Sequence, residues 1–104
     1  MRELPIACDM TALDAVQRER QRVLMKKFHA SVEGTQALPD GYAFRLPADA
    51  QTILCAAEFI AIERLCCPFL SFELEVGPEG SPVWLRLTGS DGAKELIGAE
   101  FGAG

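Results

Sequence analysis

The chain has 104 residues, 49% hydrophobic and 24% charged, and these proportions are typical of a globular protein rather than a disordered one. Fifteen acidic residues against ten basic residues give a formal net charge of −5, which disfavours general binding to nucleic-acid phosphates. The length predicts a single domain, residues 1–104, and no apolar run reaches the roughly 20 residues that a membrane-spanning helix needs.

The first residues, Met1–Pro5, lack the apolar segment of a secretory signal, so a cytoplasmic location is expected. Four cysteines in such a chain predict reduced thiols rather than a disulfide framework. The segment Leu4–Cys8 is apolar and short. We expect it to form at most an edge strand, because Pro5 cannot donate a hydrogen bond in the middle of a sheet.

A first helix is predicted over residues 11–33. Thr11 followed by Asp14 has the form of a capping box, and Gly34 supplies a C-terminal stop. Apolar residues recur at helical spacing through this segment at Leu13, Val16, Val23, Leu24, Phe28 and Val32. The basic residues between positions 17 and 27 fall off this stripe and indicate a solvated face.

A turn at Leu38–Gly41 is followed by alternating residues that predict a strand over positions 42–46 with one buried face. Asp49 can cap a second helix, predicted over residues 49–67. This helix is apolar on nearly all sides, which places it in the middle of the domain. Pro68 ends it, because proline has no backbone donor.

The hydrophobic period changes to two in the next part of the chain, which predicts a β-hairpin over residues 70–88. In the register that we predict, Val76 lies opposite Val83 and Glu73 lies opposite Arg86 on the outer face. A third helix begins near Ser90. The order (β)-α-β-α-β-β-α predicts an α+β fold with two layers, in which three helices pack on one face of a mainly antiparallel sheet of three to four strands.

The adjacent thiols Cys66 and Cys67, at the end of the second helix, are the chemically distinctive feature. Neighbouring cysteines form a disulfide only through a strained eight-membered ring, so a stable bond between them is not expected. As thiolates they suit soft ions such as copper, zinc, mercury or trivalent arsenic. Because a closed structural zinc site has four ligands, further ligands are needed from elsewhere.

Three residues are candidates for the additional ligand. Glu63 lies one helical turn before the thiols on the same face. Cys8 reaches them if the first segment packs against the end of the second helix. The α-β-α connection predicts that the first two helices run roughly parallel, which would bring His29 toward the thiols instead. The sequence leaves both placements open. Cys55 is expected to be a core residue, because it lies about 16 Å from Cys66 along the helix.

The opposing interpretation is that Cys66 and Cys67 are ordinary core residues, since free cysteine packs as a small hydrophobic residue. A helix C-terminus and the neighbouring Glu63 both raise a thiol pKa, so a non-enzymatic role is favoured over a thiol enzyme. Arginine at position 64, 45 or 86 is the expected partner of a buried Glu63. Trp84, on the outer sheet face, favours a homodimer interface there.

The run Glu63–Phe69, with the hairpin after it, resembles a group of small bacterial proteins whose activity is uncharacterised. Ile6–Cys8 and Pro39–Arg45 match the same group, so the resemblance covers about residues 6–97. It implies that Cys8, Glu63, Cys66 and Cys67 belong to one shared pattern. Two functional hypotheses follow. In the first, the dithiol binds a soft metal or metalloid or senses redox state, with Cys8 or Glu63 helping; in the second, the chain is a homodimeric accessory domain with buried cysteines.

Overall fold

The computed structural model describes residues 7–102, and it confirms an α+β fold with an antiparallel sheet. After a short 3-10 turn at Met10–Ala12, the helices are α1 (Ala15–Ser31), α2 (Ala50–Cys66) and α3 (Ala93–Glu100), and the strands are β1 (Gly34–Leu38), β2 (Gly41–Leu46), β3 (Ser71–Val76) and β4 (Val83–Thr88). The strand order across the sheet is β1-β2-β4-β3. None of the helices in residues 7–102 has the length and apolar character needed to cross a bilayer.

Helix α1 begins later than predicted because its cap is Asp14 rather than Thr11. The Asp14 carboxylate accepts a hydrogen bond from the backbone N–H of Gln17 at 2.8 Å, and the Gln17 side chain accepts one from the N–H of Asp14 at 2.9 Å. This reciprocal pair is a capping box displaced three residues along the chain. Thr11 belongs to the preceding 3-10 turn, whose cap is Asp9.

Strand β1 was not predicted, and it changes the direction of α2. It pairs antiparallel with β2, so two strands rather than one separate α1 from α2. The helices are therefore antiparallel: Gln21, early in α1, contacts Glu63, late in α2, whereas Ser31 and Thr52 line one cleft at the other end. The prediction of parallel helices, which would have brought His29 to the thiols, is wrong.

The predicted hairpin is confirmed together with its register. Val76 pairs with Val83, Leu74 with Leu85 and Phe72 with Leu87, so one face of β4 is fully buried. Glu73 does lie opposite Arg86, but the Arg86 guanidinium binds the diagonal neighbour Glu75 at 2.6 Å instead. Diagonal positions lie within reach of a long side chain, so the register does not determine the ion pair.

The core is built around four phenylalanines from different elements. The Phe28 ring of α1 stacks on Phe59 of α2 at 5.0 Å and meets Phe44 of β2 and Phe101, just after α3, edge to face. Each ring is at least 94% buried, and Phe28 contacts all three others. This cluster joins the helices to the sheet and fixes α2, whose C-terminal end carries the cysteines.

The boundaries of α2 agree with prediction. Asp49 caps its first turn by accepting from the Thr52 N–H at 2.8 Å, and the helix runs to Cys66. Cys67 is the C-terminal cap, and its N–H donates to the Glu63 carbonyl at 2.7 Å. Pro68 follows directly, so the helix ends with Cys66 in its last turn and Cys67 just beyond it.

The segment before α1 packs on this helix end. Of the proposed edge strand Leu4–Cys8, residues 4–6 lie outside the described range, and residues 7 and 8 are not in a strand. Instead the Asp9 N–H donates to the Cys66 carbonyl at 2.8 Å, and Leu13 is 2% exposed. The segment is thereby placed over the end of α2.

Candidate functional site

Cys8 and Cys67 form a disulfide, with their Cα atoms 4.7 Å apart. The expectation that all four cysteines are reduced is therefore wrong for this pair. The two residues are 59 positions apart in sequence, and composition alone cannot show that the fold brings them together. Cys55 and Cys66 are free thiols.

Cys66, Cys67, Cys8 and Glu63, the four residues expected to form the site, come together in one cluster. The Sγ atoms of Cys66 and Cys67 are 3.9 Å apart and are not bonded to each other, as expected for neighbours. The Glu63 Oε1 atom lies 3.9 Å from Cys66 Sγ and 3.8 Å from Cys67 Sγ. Ligand atoms of Cys8, Glu63 and Cys67 all lie within 4.8 Å of one another.

The cluster is buried, apart from Cys8. Cys66 and Cys67 are 0% exposed and Glu63 is 1% exposed, whereas Cys8 is partly exposed. Three of the four residues come from α2 and its cap, and the fourth comes from the segment that lies over that end. The N-terminal segment is thus the outer wall of the site, and the disulfide attaches it there.

Glu63 is held by an amide and not by the arginine that we expected. The Gln21 Nε2 of α1 donates to Glu63 Oε2 at 2.8 Å, and no ion pair involves Glu63 within residues 7–102. Burial raises the pKa of the Glu63 carboxyl, while the Gln21 hydrogen bond acts in the opposite direction. The sequence analysis did not identify Gln21. It lies on the same helical stripe as Leu24 and Phe28, and a polar residue on a buried stripe indicates a polar partner in the core.

The Cys66 thiol is not an activated nucleophile. Burial is the main cause that raises its pKa to about 11, and the neighbouring Glu63 carboxylate adds to the effect. The raised pKa agrees with the sequence prediction. That prediction named the helix C-terminus and Glu63 as causes, whereas desolvation of the buried thiol is the larger cause. A thiol with this pKa is almost entirely protonated at neutral pH, which disfavours a thiol enzyme.

The fourth cysteine, Cys55, and the remaining candidate ligand, His29, lie away from the cluster. Cys55 receives a hydrogen bond from the Gln51 side chain and lines a cleft of about 250 Å³ between α1 and α2. Because α1 and α2 are antiparallel, His29 lies near the opposite end of α2 from the thiols, and its ring lies beside Gly102. Of the two competing placements, the structure supports Cys8 at the site.

The predicted dimer interface at Trp84 stays a prediction. The register places Trp84 between Arg45 of β2 and Glu75 of β3, and the side chain is partly buried. Arg45 and Glu75 each form an ion pair with a neighbour, Glu33 and Arg86 respectively. The surface around Trp84 is therefore charged, and its aromatic ring is partly covered by this chain alone.

The raised pKa of Glu63 predicts a pH dependence of stability. The folded protein binds the Glu63 proton more tightly than the unfolded chain, so the free energy of unfolding falls as the pH rises above the usual pKa of a glutamate and through the raised pKa of the folded state. Replacement by Glu63→Gln keeps an acceptor for Gln21 and removes the charge. We expect its unfolding free energy to change less between pH 5 and 8 than that of the wild type, because the variant has no carboxyl to ionise at this position.

Urea denaturation at several pH values measures this difference. Glu58→Gln is the matched control, because Glu58 lies on the same helix but is paired with Arg20 at the surface. If the wild type and Glu63→Gln gave the same pH slope, the buried carboxyl would not be responsible.

No protein-family model, curated protein or solved structure matches this chain. The assignment of function therefore depends on the cysteine cluster itself.

Proposed function

We propose that the chain is a small non-enzymatic protein that binds a soft metal or metalloid ion through Cys66, Cys67 and Cys8, with Glu63 beside them, and that the Cys8–Cys67 disulfide controls binding. One observation carries the proposal: ligand atoms of Cys8, Cys67 and Glu63, from two distant parts of the sequence, lie within 4.8 Å of one another, and Cys66 Sγ lies 3.9 Å from Cys67 Sγ. Soft ions bind to thiolates in preference to oxygen donors.

The arrangement of the three sulfurs supports binding better than catalysis. A thiolate nucleophile is normally activated by a helix N-terminus or a partner histidine, and this cluster lies at a helix C-terminus with His29 near the other end of α2. Metal coordination does not need that activation, because a bound cation deprotonates the thiol.

The redox state controls ion binding in this proposal, because Cys8 and Cys67 cannot act as thiolate ligands while they form a disulfide. A dithiol reductant supplies two electrons and two protons: the S–S bond breaks, Cys8 and Cys67 become thiols, and the reductant becomes a disulfide. Three free sulfurs are then available beside Glu63. In the oxidised form only Cys66 is a free thiol in the cluster.

The rival interpretation is that the disulfide and Cys66 only stabilise the fold, and it is favoured by the full burial of Cys66 and Cys67. The two interpretations predict different behaviour after reduction. If the cysteines form a binding site, their thiols react with a thiol reagent in the native protein and stop reacting when an ion is added. If they are core residues, their thiols stay unreactive until the protein unfolds.

The test titrates reduced, desalted protein with zinc, cadmium or arsenite and counts thiols that react with a reagent in the native state. We expect one ion per chain to protect the cluster, and expect Cys66→Ser/Cys67→Ser to bind at least about 100-fold more weakly, since loss of outer-shell contacts alone costs 10–100-fold. Cys55→Ser is the control and keeps full binding. Equal binding by wild type and double variant, or by oxidised and reduced protein, would overturn the proposal.

A further inference from the structure

We infer that the reduced cluster selects a trivalent metalloid, such as arsenite or antimonite, over divalent zinc and cadmium, with Cys8, Cys66 and Cys67 as its three ligands. The inference rests on the proposed function and names the class of ion for the same site. It stands on three features of the described residues: the number of sulfurs, the charge around them, and the way in which Cys8 is held.

The donor set offers three sulfurs and no imidazole. Closed zinc sites are tetrahedral and use four ligands, so zinc needs a fourth ligand here, either a water molecule or the Glu63 carboxylate, which already accepts a hydrogen bond from Gln21. Trivalent arsenic and antimony form three bonds to sulfur, and a lone pair completes their pyramidal geometry. Cys67 with Cys8 on one side and Cys66 Sγ 3.9 Å away on the other can therefore supply the three sulfurs of a trivalent metalloid without a fourth protein ligand.

Charge also favours the trivalent ion. Three thiolates around a metalloid in the +3 state form a neutral unit, whereas the same thiolates around a divalent metal keep a negative charge next to Glu63. That negative charge would be buried at a helix C-terminus, where negative charge is unfavourable. Within residues 7–102, Glu63 also has no ion-pair partner that could offset the added charge. A neutral complex avoids this cost.

The exchange with arsenite balances without any oxidant or reductant. Each arsenic–oxygen bond breaks as an arsenic–sulfur bond forms, and each thiol proton leaves on the displaced hydroxide as water. Three thiols and arsenous acid therefore give one tris-thiolate and three waters, and arsenic stays trivalent. Zinc binding by the same thiols instead has to release their protons to solvent.

The third sulfur stays close after reduction. Besides the disulfide, the Asp9 N–H donates to the Cys66 carbonyl at 2.8 Å, and the buried side chain of Leu13 holds the same segment. These contacts do not depend on the disulfide, so Cys8 remains at a high effective concentration beside Cys66 and Cys67. We therefore expect an ion that is bound by Cys66 and Cys67 to bind Cys8 as well.

Mass spectrometry of reduced protein treated with arsenite, alone and in competition with excess zinc, tests the inference. We expect wild type and the control Cys55→Ser to gain one arsenic and lose three hydrogens. Cys8→Ser should bind at least about tenfold more weakly and keep one hydroxyl on arsenic, because it lacks the third tethered ligand.

The outcomes separate the two proposals. Displacement of arsenite by zinc would overturn the selectivity and leave the proposed function standing, and a wild-type adduct that keeps a hydroxyl would overturn the three-sulfur ligation. If neither ion protects the thiols, the proposed function fails, and the inference fails with it.

Discussion

Reduction of the Cys8–Cys67 disulfide is expected to lower the free energy of unfolding by roughly 4 kcal/mol, the loop-closure value for cysteines 59 residues apart. The disulfide restricts the unfolded chain, and its loop includes α1, β1, β2 and α2. Since small domains have total stabilities of about 5–15 kcal/mol, this is a large fraction of the whole.

Urea denaturation with and without a thiol reductant measures the effect. Cys8→Ser should reproduce the reduced wild type and should not respond to reductant, whereas Cys55→Ser should behave as the wild type in both conditions. Unchanged denaturation midpoints on reduction would show that the disulfide contributes nothing. Arsenite or zinc added to reduced protein should restore part of the loss, because an ion that binds only the folded state stabilises it.

The elements that could be predicted are those whose hydrophobic period is strong and whose ends carry a clear signal. Helix α2 has Asp49 before it and Pro68 after it, and the β3–β4 hairpin alternates without interruption, so both were located correctly. Strand β1 has no such pattern, because residues 35–37 are all exposed at the edge of the sheet. Edge strands of this kind have no buried face to mark them.

That one missed strand accounts for the error in the site. With a single strand between the helices, α2 would run parallel to α1, and His29 would be an alternative to Cys8 as the residue beside the thiols. With two strands the helices are antiparallel, and His29 lies near the other end of α2. Proximity of Cys66, Cys67 and Glu63 followed from helical spacing alone. The partner Gln21 and the disulfide to Cys8 depend on contacts between distant parts of the chain, which local patterns do not encode.

Replacement of Phe28 by alanine is expected to lower the free energy of unfolding by about 3–5 kcal/mol, the usual range for a large aromatic residue in a core. Phe28 stacks on Phe59 and meets Phe44 and Phe101 edge to face, so its removal weakens the junction of α1 with α2, β2 and the end of α3. Val16→Ala, on the same helix but 79% exposed, is the control and should stay within about 0.5 kcal/mol of wild type.

The free energy of unfolding lost in Phe28→Ala should add to the free energy lost on reduction of the disulfide. Phe28 is seven residues, or about 10 Å, along α1 from Gln21, far enough for independent effects. The combined loss of roughly 7–9 kcal/mol lies within the range of total stability of small domains, about 5–15 kcal/mol. We therefore expect the reduced Phe28→Ala variant to be the least stable of the four forms, with a total loss equal to the sum of the two separate losses to within about 0.5 kcal/mol, which urea denaturation of the four forms measures. A combined loss that departed from the sum by more than this would show that the aromatic cluster and the disulfide are coupled.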